Sequence, residues 1–218
     1  MKVYRIPPDS SAILFDMDST LYTNEDYMRT QIEKPLRRLA ELRGLTPDAM
    51  KGEIENYRKA WTETHGGSIS LTTTFRAFGV SLEESVRWRE ELYEPERFLK
   101  PDPLLREALE ALRPSFRFAL VTNNPVAVAR RTLAALAVED FFPVIVGLDS
   151  CLVSKPHPAP FLRAAELLEA PPGQCVSVGD RYDFDLAPPL ELGMGAILVE
   201  GVADVYRLKP ALLRTGSA

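Results

Sequence analysis

The chain has 218 residues, of which 45% are hydrophobic and 26% are charged, with a net charge of −5. These proportions are ordinary for a globular protein, and the length suits one large domain or a domain with an insertion. The net negative charge argues against nucleic-acid binding, and no apolar segment approaches the ~20 residues that a membrane helix requires. The N-terminus also lacks the apolar stretch of a signal peptide. Only two cysteines occur, Cys151 and Cys175, so a cytoplasmic protein without a disulfide framework is predicted.

Short apolar segments predict the strands of a sheet, and amphipathic segments between the later ones predict helices. Five strands are predicted, at residues 12–15, 116–121, 143–148, 175–178 and 196–199. Helices are predicted between them, at residues 103–113, 126–138 and 159–170. Strands that alternate with helices indicate a parallel sheet joined by right-handed crossovers. The predicted fold class is therefore α/β.

The segment between the first strand and residue 100 interrupts this alternation. Three helices are predicted there, at residues 27–44, 46–67 and 81–98. The first should kink or restart near Pro35, and no comparable strand occurs in this segment. We expect residues 22–98 to form a helical insertion, while residues 1–21 and 99–218 form the core. Such an insertion would stand over the carboxyl ends of the strands, where open α/β sheets bind ligands.

Polar side chains follow four of the predicted strands. They are Asp16 and Asp18 after the first, Thr122 and Asn123 after the second, Lys155 beyond the third, and Asp180, Asp183 and Asp185 after the fourth. Because the carboxyl ends of parallel strands meet at one edge of a sheet, these side chains should surround one crevice. Each has a simpler explanation when taken alone. The stretch "DMDST" could be an acidic turn, and Lys155 could be a solvated loop charge.

The residue types in this set are chemically complementary. Several carboxylates in one cleft repel each other and need a cation, and Mg²⁺ commonly uses one or two carboxylates together with substrate phosphate. Lys155 and Thr122 could hold the oxygens of a phosphoryl group. A carboxylate could then attack phosphorus and form an aspartyl-phosphate. The pattern thus favours Mg²⁺-dependent phosphoryl transfer.

The ordered set resembles the signature motifs of the haloacid dehalogenase superfamily of hydrolases. The matching positions are Asp16, Asp18 and Thr20 for the first motif, Thr122 for the second, Lys155 for the third, and Gly179 and Asp180 with a later acid for the fourth. The resemblance extends from residue 10 to about residue 200. It implies a Rossmann-like, doubly wound parallel sheet as the core, with the helical insertion as a C1-type cap.

The resemblance also implies a role for each signature residue. Asp16 would be the nucleophile and a metal ligand. Asp18 would bind the metal through its backbone carbonyl and serve as general acid and then general base. Thr122 would bind the phosphoryl group, with Asn123 beside it in the substrate site. Lys155 would neutralise the nucleophile and the phosphate.

The fourth motif leaves two alternatives open. The resemblance implies that Asp180 ligates Mg²⁺, and that either Asp185 or Asp183 supports the metal or the lysine. The spacing does not choose between these two acids, although Asp185 is assigned as the ligand. Pro188 and Pro189 depart from the small residues that relatives carry in the next helix. Prolines are tolerated only at a helix start, so a late helix with both acids in a loop is predicted.

The function predicted by this resemblance is a Mg²⁺-dependent phosphatase that acts on a small phosphorylated metabolite. Nucleotides, phosphoglycolate and sugar phosphates are the candidate substrates. A phosphomutase is the main alternative, and a haloacid dehalogenase or a non-catalytic binding protein is less favoured. Some arginines of the insertion could contact substrate charge, but most are expected on solvated helix faces. The arginines considered are Arg29, Arg37, Arg38, Arg43, Arg58, Arg76, Arg87 and Arg89.

Overall fold

The computed structural model of the protein describes residues 1–213 and contains a six-stranded sheet with helices around it. The strands are β1 (Lys2–Arg5), β2 (Ala12–Phe15), β3 (Arg117–Val121), β4 (Val144–Val146), β5 (Cys175–Gly179) and β6 (Gly195–Leu198). Their order across the sheet is β1-β6-β5-β2-β3-β4, and all neighbours are parallel except β1 and β6. The chain winds outward from β2 in both directions. The predicted α/β class and doubly wound parallel sheet are therefore confirmed.

The central strand β2 explains why the first apolar segment is so uniform. It pairs with β3 on one side and β5 on the other, and all four of its residues are fully buried. A parallel strand covered on both faces needs apolar side chains on both, which gives a continuous run rather than an alternating one. Because the strand order reverses at β2, the crevice at its carboxyl end is the expected ligand site.

The edge strand β1 was not predicted. It pairs antiparallel with β6, its residues are exposed, and its register shifts between Val3 and Arg5. A short exposed strand that mixes Lys2 and Arg5 with Val3 and Tyr4 has no apolar run by which it could be recognised. The sequence patterns predict buried strands far better than strands of this kind.

Between β2 and β3 the chain forms the inserted helices. They are α1 (Glu25–Arg43), α2 (Pro47–His65), α3 (Leu71–Ala77), α4 (Leu82–Leu92) and α5 (Pro95–Phe98). They enclose a hydrophobic cluster of their own, formed by Leu39, Ala40, Met50, Ile54, Phe75, Val80 and Trp88. Helices α1 and α2 end at Gly44 and Gly66, which both have left-handed backbone conformations. The predicted third helix is divided in two before Pro95.

Helix α1 runs without interruption through Pro35, so the restart predicted there does not occur. The residues Tyr27, Gln31, Pro35 and Leu39 are spaced four apart and are all buried on one face of the helix. Packing of this face offsets the hydrogen bond that the proline cannot donate.

The two ends of the inserted helices are joined by one side chain. Asn24 caps α1, since its Oδ1 accepts a hydrogen bond from the Tyr27 amide at 2.9 Å. The Asn24 side-chain amide also donates to the Phe98 carbonyl at 3.0 Å, and the Tyr27 and Phe98 rings stack with centroids 5.4 Å apart. The chain thus leaves and rejoins the sheet at neighbouring points.

The remaining helices follow the strands and cover the sheet. They are α6 (Pro103–Leu112), α7 (Val126–Ala135), α8 (Leu148–Cys151), α9 (Ala159–Leu167), α10 (Ala187–Glu191), α11 (Val202–Val205) and α12 (Leu208–Leu213). The amphipathic patterns predicted α6, α7 and α9. Within residues 1–213, no helix combines the length and the apolar character needed to cross a membrane.

Candidate active site

The signature residues meet at the carboxyl ends of three central strands. Asp16 directly follows β2, Thr122 follows β3 and Asp180 follows β5, while Lys155 reaches them from the loop after α8. Asp16, Thr122 and Lys155 are buried, with exposed fractions of 5%, 2% and 1%. Side chains as far apart in the sequence as Asp16 and Asp180 are thereby brought into one crevice, as the strand pattern predicted.

Lys155 lies at the centre of this group. Its Nζ atom donates to Asp16 Oδ1 at 2.5 Å, to Asp185 Oδ1 at 2.6 Å and to the Val121 carbonyl at 2.8 Å. An ammonium group has three donors, so all of them are used. Burial acts to lower the pKa of Lys155, but the Asp16 and Asp185 charges outweigh it and hold the pKa above its ordinary value. The lysine is therefore a fixed positive charge beside Asp16.

The same crevice holds more negative charge than Lys155 neutralises. One carboxylate oxygen from each of Asp16, Asp180 and Asp185 lies within 4.8 Å of the others. Asp180 Oδ1 is buried and has no hydrogen-bond partner among residues 1–213. Burial, together with the charges of Asp16 and Asp185, raises the pKa of Asp180 to about 7. Clustered hard oxygens with an unpartnered member fit a divalent cation, which would compensate the remaining charge.

Asp185, rather than Asp183, belongs to this cluster. Asp185 is 1% exposed, and its Oδ2 accepts a hydrogen bond from the Arg181 amide at 3.0 Å, while Asp183 is exposed to solvent. The two acids lie in a π-helical turn over Tyr182–Leu186, and α10 follows at once. The loop predicted around them is therefore wrong. Pro188 stands in the first turn of α10, where a missing amide hydrogen costs little, so the helical turn can precede it.

Asp18 is held by side chains from both sides of the crevice. Its Oδ1 accepts hydrogen bonds from the Tyr22 hydroxyl and from Gln31 Nε2, the latter at 3.1 Å. Its Oδ2 accepts from Asn124 Nδ2 at 2.8 Å. Gln31 belongs to α1, whereas Asn124 follows β3. The orientation of the Asp18 carboxylate thus depends on how the inserted helices sit against the sheet.

Asn123 pairs with the backbone of Lys155. Its Oδ1 accepts from the Lys155 amide at 2.7 Å, and its Nδ2 donates to the Lys155 carbonyl at 3.1 Å. Next to it, Thr122 Oγ1 accepts from the Asn124 amide at 3.1 Å. Asn123 therefore positions the lysine, and its predicted contact with substrate stays a prediction.

A cavity of about 220 Å³ opens beside Asp18 and Asp180. Asp18, Asn124, Asp180 and Arg181 line it from the side of the sheet, and Gln31, Ser70, Thr72 and Arg89 line it from the inserted helices. This volume is below the ~300–1,000 Å³ of typical pockets for drug-sized ligands. A larger cavity of about 560 Å³ lies among the inserted helices and contains none of the signature residues. The smaller cavity is the one that combines space with reactive groups.

Comparison with known proteins supports the resemblance to the family. A family model for haloacid dehalogenase-like hydrolases matches residues 11–193, which is most of the chain. The chain belongs to the haloacid dehalogenase-like hydrolases. It is therefore a hydrolase, which confirms the enzyme class predicted from the sequence.

The relatives of this haloacid dehalogenase-like hydrolase include phosphatases. It is 31% identical over 171 residues to a phosphoglycolate phosphatase of Aquifex aeolicus, which covers 77% of this chain and 75% of that protein. It is 28% identical to a glyceraldehyde 3-phosphate phosphatase of Methanopyrus kandleri, over 86% of this chain and 83% of that protein. The chain spans less than half the length of some other curated relatives.

A solved structure of this family shares the fold of the hydrolase. The HAD phosphatase from Thermococcus onnurineus aligns over 87% of this chain and 86% of its own, with a TM-score of 0.58 and 24% identity. At this identity the likeness establishes the fold alone. It agrees with the Rossmann-like core that the motifs of the hydrolase predicted.

Gly179 explains how the hydrolase brings Asp185 so close to the end of β5. A Cβ atom at this position would lie 2.4 Å from Asp185 Cβ and 2.7 Å from its carboxyl carbon. Gly179→Ala should therefore lower the free energy of unfolding by about 1–3 kcal/mol, the usual cost of overpacking, because Asp185 cannot move without breaking its Lys155 contact. The urea midpoint measures this change.

Gly173→Ala is the matched control in the hydrolase, because nothing lies within 4 Å of a Cβ atom there. Its free energy of unfolding should stay within about 0.5 kcal/mol of the wild-type value. Equal stability of the two variants would mean that the Asp185 segment adjusts freely and is not held against β5.

Proposed function

We propose that this hydrolase is a Mg²⁺-dependent phosphatase that cleaves a small phosphomonoester through an aspartyl-phosphate on Asp16. The observation that carries the proposal is the contact of Lys155 with Asp16 and Asp185, beside the unpartnered oxygen of Asp180. A permanent positive charge and a set of hard oxygen ligands around one carboxylate suit the transfer of a dianionic phosphoryl group. The phosphatase names of the relatives support the same bond type.

In the first half of the proposed reaction, Asp16 attacks phosphorus. One of its oxygens is bound by Lys155, and the other, Oδ2, has among residues 1–213 a single long contact, at 3.4 Å, with the Thr20 hydroxyl. An oxygen–phosphorus bond forms at Asp16 as the bond to the leaving oxygen breaks, and Asp18 gives that oxygen its proton. A divalent cation held by Asp16, Asp180 and Asp185 would supply positive charge to the phosphoryl oxygens.

In the second half, water replaces the enzyme as the acceptor. Asp18 takes a proton from water, the water oxygen attacks phosphorus, and the bond to Asp16 breaks to release phosphate. We assign Thr122, which follows β3, to binding a phosphoryl oxygen. Lys155 remains paired with Asp16, so we assign it to neutralising the nucleophile as it re-forms.

We further propose that residues 22–98 act as a C1-type cap over the site. Their separate hydrophobic cluster and their joined ends support a unit that can move as one body. Gln31 reaches Asp18 from this segment, so closure would complete the hydrogen bonds around that carboxylate while excluding water. A cytoplasmic location and a small phosphorylated metabolite as the partner complete the proposal.

The proposal predicts that phosphate release needs a divalent cation. With phosphoglycolate and glyceraldehyde 3-phosphate as first substrates, EDTA should abolish the release of inorganic phosphate and Mg²⁺ should restore it. Phosphate should also appear without any added bisphosphate, which separates a phosphatase from a phosphomutase. Full activity in metal-free protein would refute the role of the cation.

Asp180→Asn should remove both the activity and the stabilisation by Mg²⁺. A cation at about 100 times its Kd stabilises a protein by ~2.7 kcal/mol, which a thermal melt detects as a higher Tm. The variant should show no such rise, because it loses a charged ligand. Asp183→Asn is the matched control, since that acid is exposed and should keep both effects. A normal Mg²⁺-dependent rise in Asp180→Asn would place the cation elsewhere.

A further inference from the structure

Arg89 is a buried arginine without an acidic partner. It lies on α4 with an exposed fraction of 5%, and it donates to Thr72 Oγ1 at 2.9 Å and to Ser85 Oγ at 3.2 Å. No carboxylate among residues 1–213 forms an ion pair with it. Other arginines that contact acids are more exposed, for example Arg131 with Glu96. Arg89 is thus a buried positive charge whose neighbours are neutral hydroxyls.

Such an arrangement is unfavourable unless something else supplies negative charge. Removing a guanidinium from water costs free energy that hydroxyl groups recover only in part. A guanidinium has five N–H donors in a planar fork; Thr72 and Ser85 accept from two of its nitrogens, and the Tyr93 hydroxyl is a third neutral partner. Donors that remain are available to a planar anion such as a carboxylate.

The position of Arg89 indicates that a bound substrate would supply this anion. Arg89 and Thr72 line the 220 Å³ cavity that also contacts Asp18 and Asp180. A small substrate whose phosphoryl group lies at the sheet would place its far end against the inserted helices. A carboxylate there would meet Arg89, and a volume of about 220 Å³ accommodates a short spacer between the two ends.

We propose that Arg89 binds a carboxylate of the substrate and selects short phosphorylated carboxylic acids. The proposal rests on the phosphatase function and adds a second anion site to it. Thr72 holds the guanidinium in place, so it acts as a positioning residue. Arg89 would contribute to binding the substrate and not to the bond-breaking steps.

Paired substrates test this assignment. Phosphoglycolate and ethyl phosphate differ mainly in the carboxylate, and the wild-type enzyme should prefer phosphoglycolate in kcat/KM. Arg89→Met keeps the length of the side chain and removes its charge. It should lower kcat/KM for phosphoglycolate by about 10²-fold, as expected for loss of one partner of a buried charge pair. The value for ethyl phosphate should change less than about threefold.

Two further variants separate selectivity from folding. Thr72→Val removes the hydroxyl that accepts from Arg89 and should lower the phosphoglycolate preference in the same direction by a smaller factor. Arg87→Met changes an exposed arginine on the same helix and should keep the wild-type preference. An equal loss for both substrates in Arg89→Met would assign Arg89 to the fold, and an unchanged preference would also overturn the proposal.

Binding distinguishes failure of this inference from failure of the proposed function. With Mg²⁺ present, calorimetric titration of Asp16→Asn should show tighter binding of phosphoglycolate than of ethyl phosphate. The difference should vanish in Asp16→Asn with Arg89→Met. If no phosphomonoester is hydrolysed but the two affinities still differ, the anion site is supported and the phosphatase function is refuted. If phosphatase activity is present but the two affinities are equal, only the anion site is refuted.

Discussion

Asp16→Asn should abolish turnover, whereas Asp18→Asn should leave a slow and incomplete reaction. Asp16 supplies the attacking oxygen in the proposed mechanism, and an amide oxygen is too weak a nucleophile to replace it. Asp18 instead supplies and removes a proton, a contribution of about 10²–10⁴ in rate. In Asp18→Asn the amide oxygen can still accept from Tyr22 and Gln31, while the amide nitrogen loses the hydrogen bond from Asn124.

The two variants should also differ in what they accumulate. A substrate with a reactive leaving group needs little protonation, so Asp18→Asn can still form the aspartyl-phosphate but hydrolyses it slowly. Acid-quenched mass spectrometry should find the mass of one phosphate on Asp16 in Asp18→Asn and none in Asp16→Asn. The exposed Asp9 provides the control, since Asp9→Asn should behave as wild type. A labelled Asp16→Asn protein would refute the assignment of the nucleophile.

Lys155→Met should damage both activity and stability. The ammonium group lies between two buried carboxylates, Asp16 and Asp185, and its removal leaves them without a counter-charge. Breaking a buried ion pair in this way typically costs ~3–5 kcal/mol in the free energy of unfolding. Loss of the positive charge beside Asp16 should lower kcat by about 10²–10³, even with saturating Mg²⁺.

A double variant separates these two effects. Asp185→Asn combined with Lys155→Met removes a second charge, so it should regain part of the lost stability in urea denaturation without regaining activity. Lys100→Met, at an exposed lysine, is the control and should change neither quantity. A Lys155→Met protein with wild-type kcat would show that another cation neutralises Asp16.

The parts of the site that follow directly from strand ends were predictable. A fully buried β2 must be apolar throughout, so the acids after it stand out, and the parallel arrangement brings Asp16, Thr122 and Asp180 to one edge. The choice between Asp183 and Asp185 was not predictable from spacing. It depends on a π-helical turn and on the absence of a side chain at Gly179, which are properties of the packed structure.

Contacts between the inserted helices and the sheet could not be predicted from the sequence either. Gln31 lies on α1 and Asn124 follows β3, so the two side chains meet at Asp18 only in the folded chain, and neither residue belongs to a motif. Arg89 belongs to a segment rich in arginine, most of which was expected to face solvent. Its burial depends on Thr72 and Ser85, whose hydroxyls approach it in three dimensions.

The hydrogen bond between Asn24 and Phe98 bears on how such an enzyme can diversify. The segment between these two residues begins and ends at neighbouring points of the sheet, so it imposes no fixed distance between the strands on either side of it. The entropic cost of closing a flexible loop grows slowly, by about 0.6 kcal/mol for each doubling of its length. Because the two ends of the inserted segment stay together, a change in its length does not alter the positions of the strands. Helices can be lengthened, exchanged or added there without displacing Asp16 or Thr122. The chemistry and the choice of substrate can therefore evolve as separate traits within one chain.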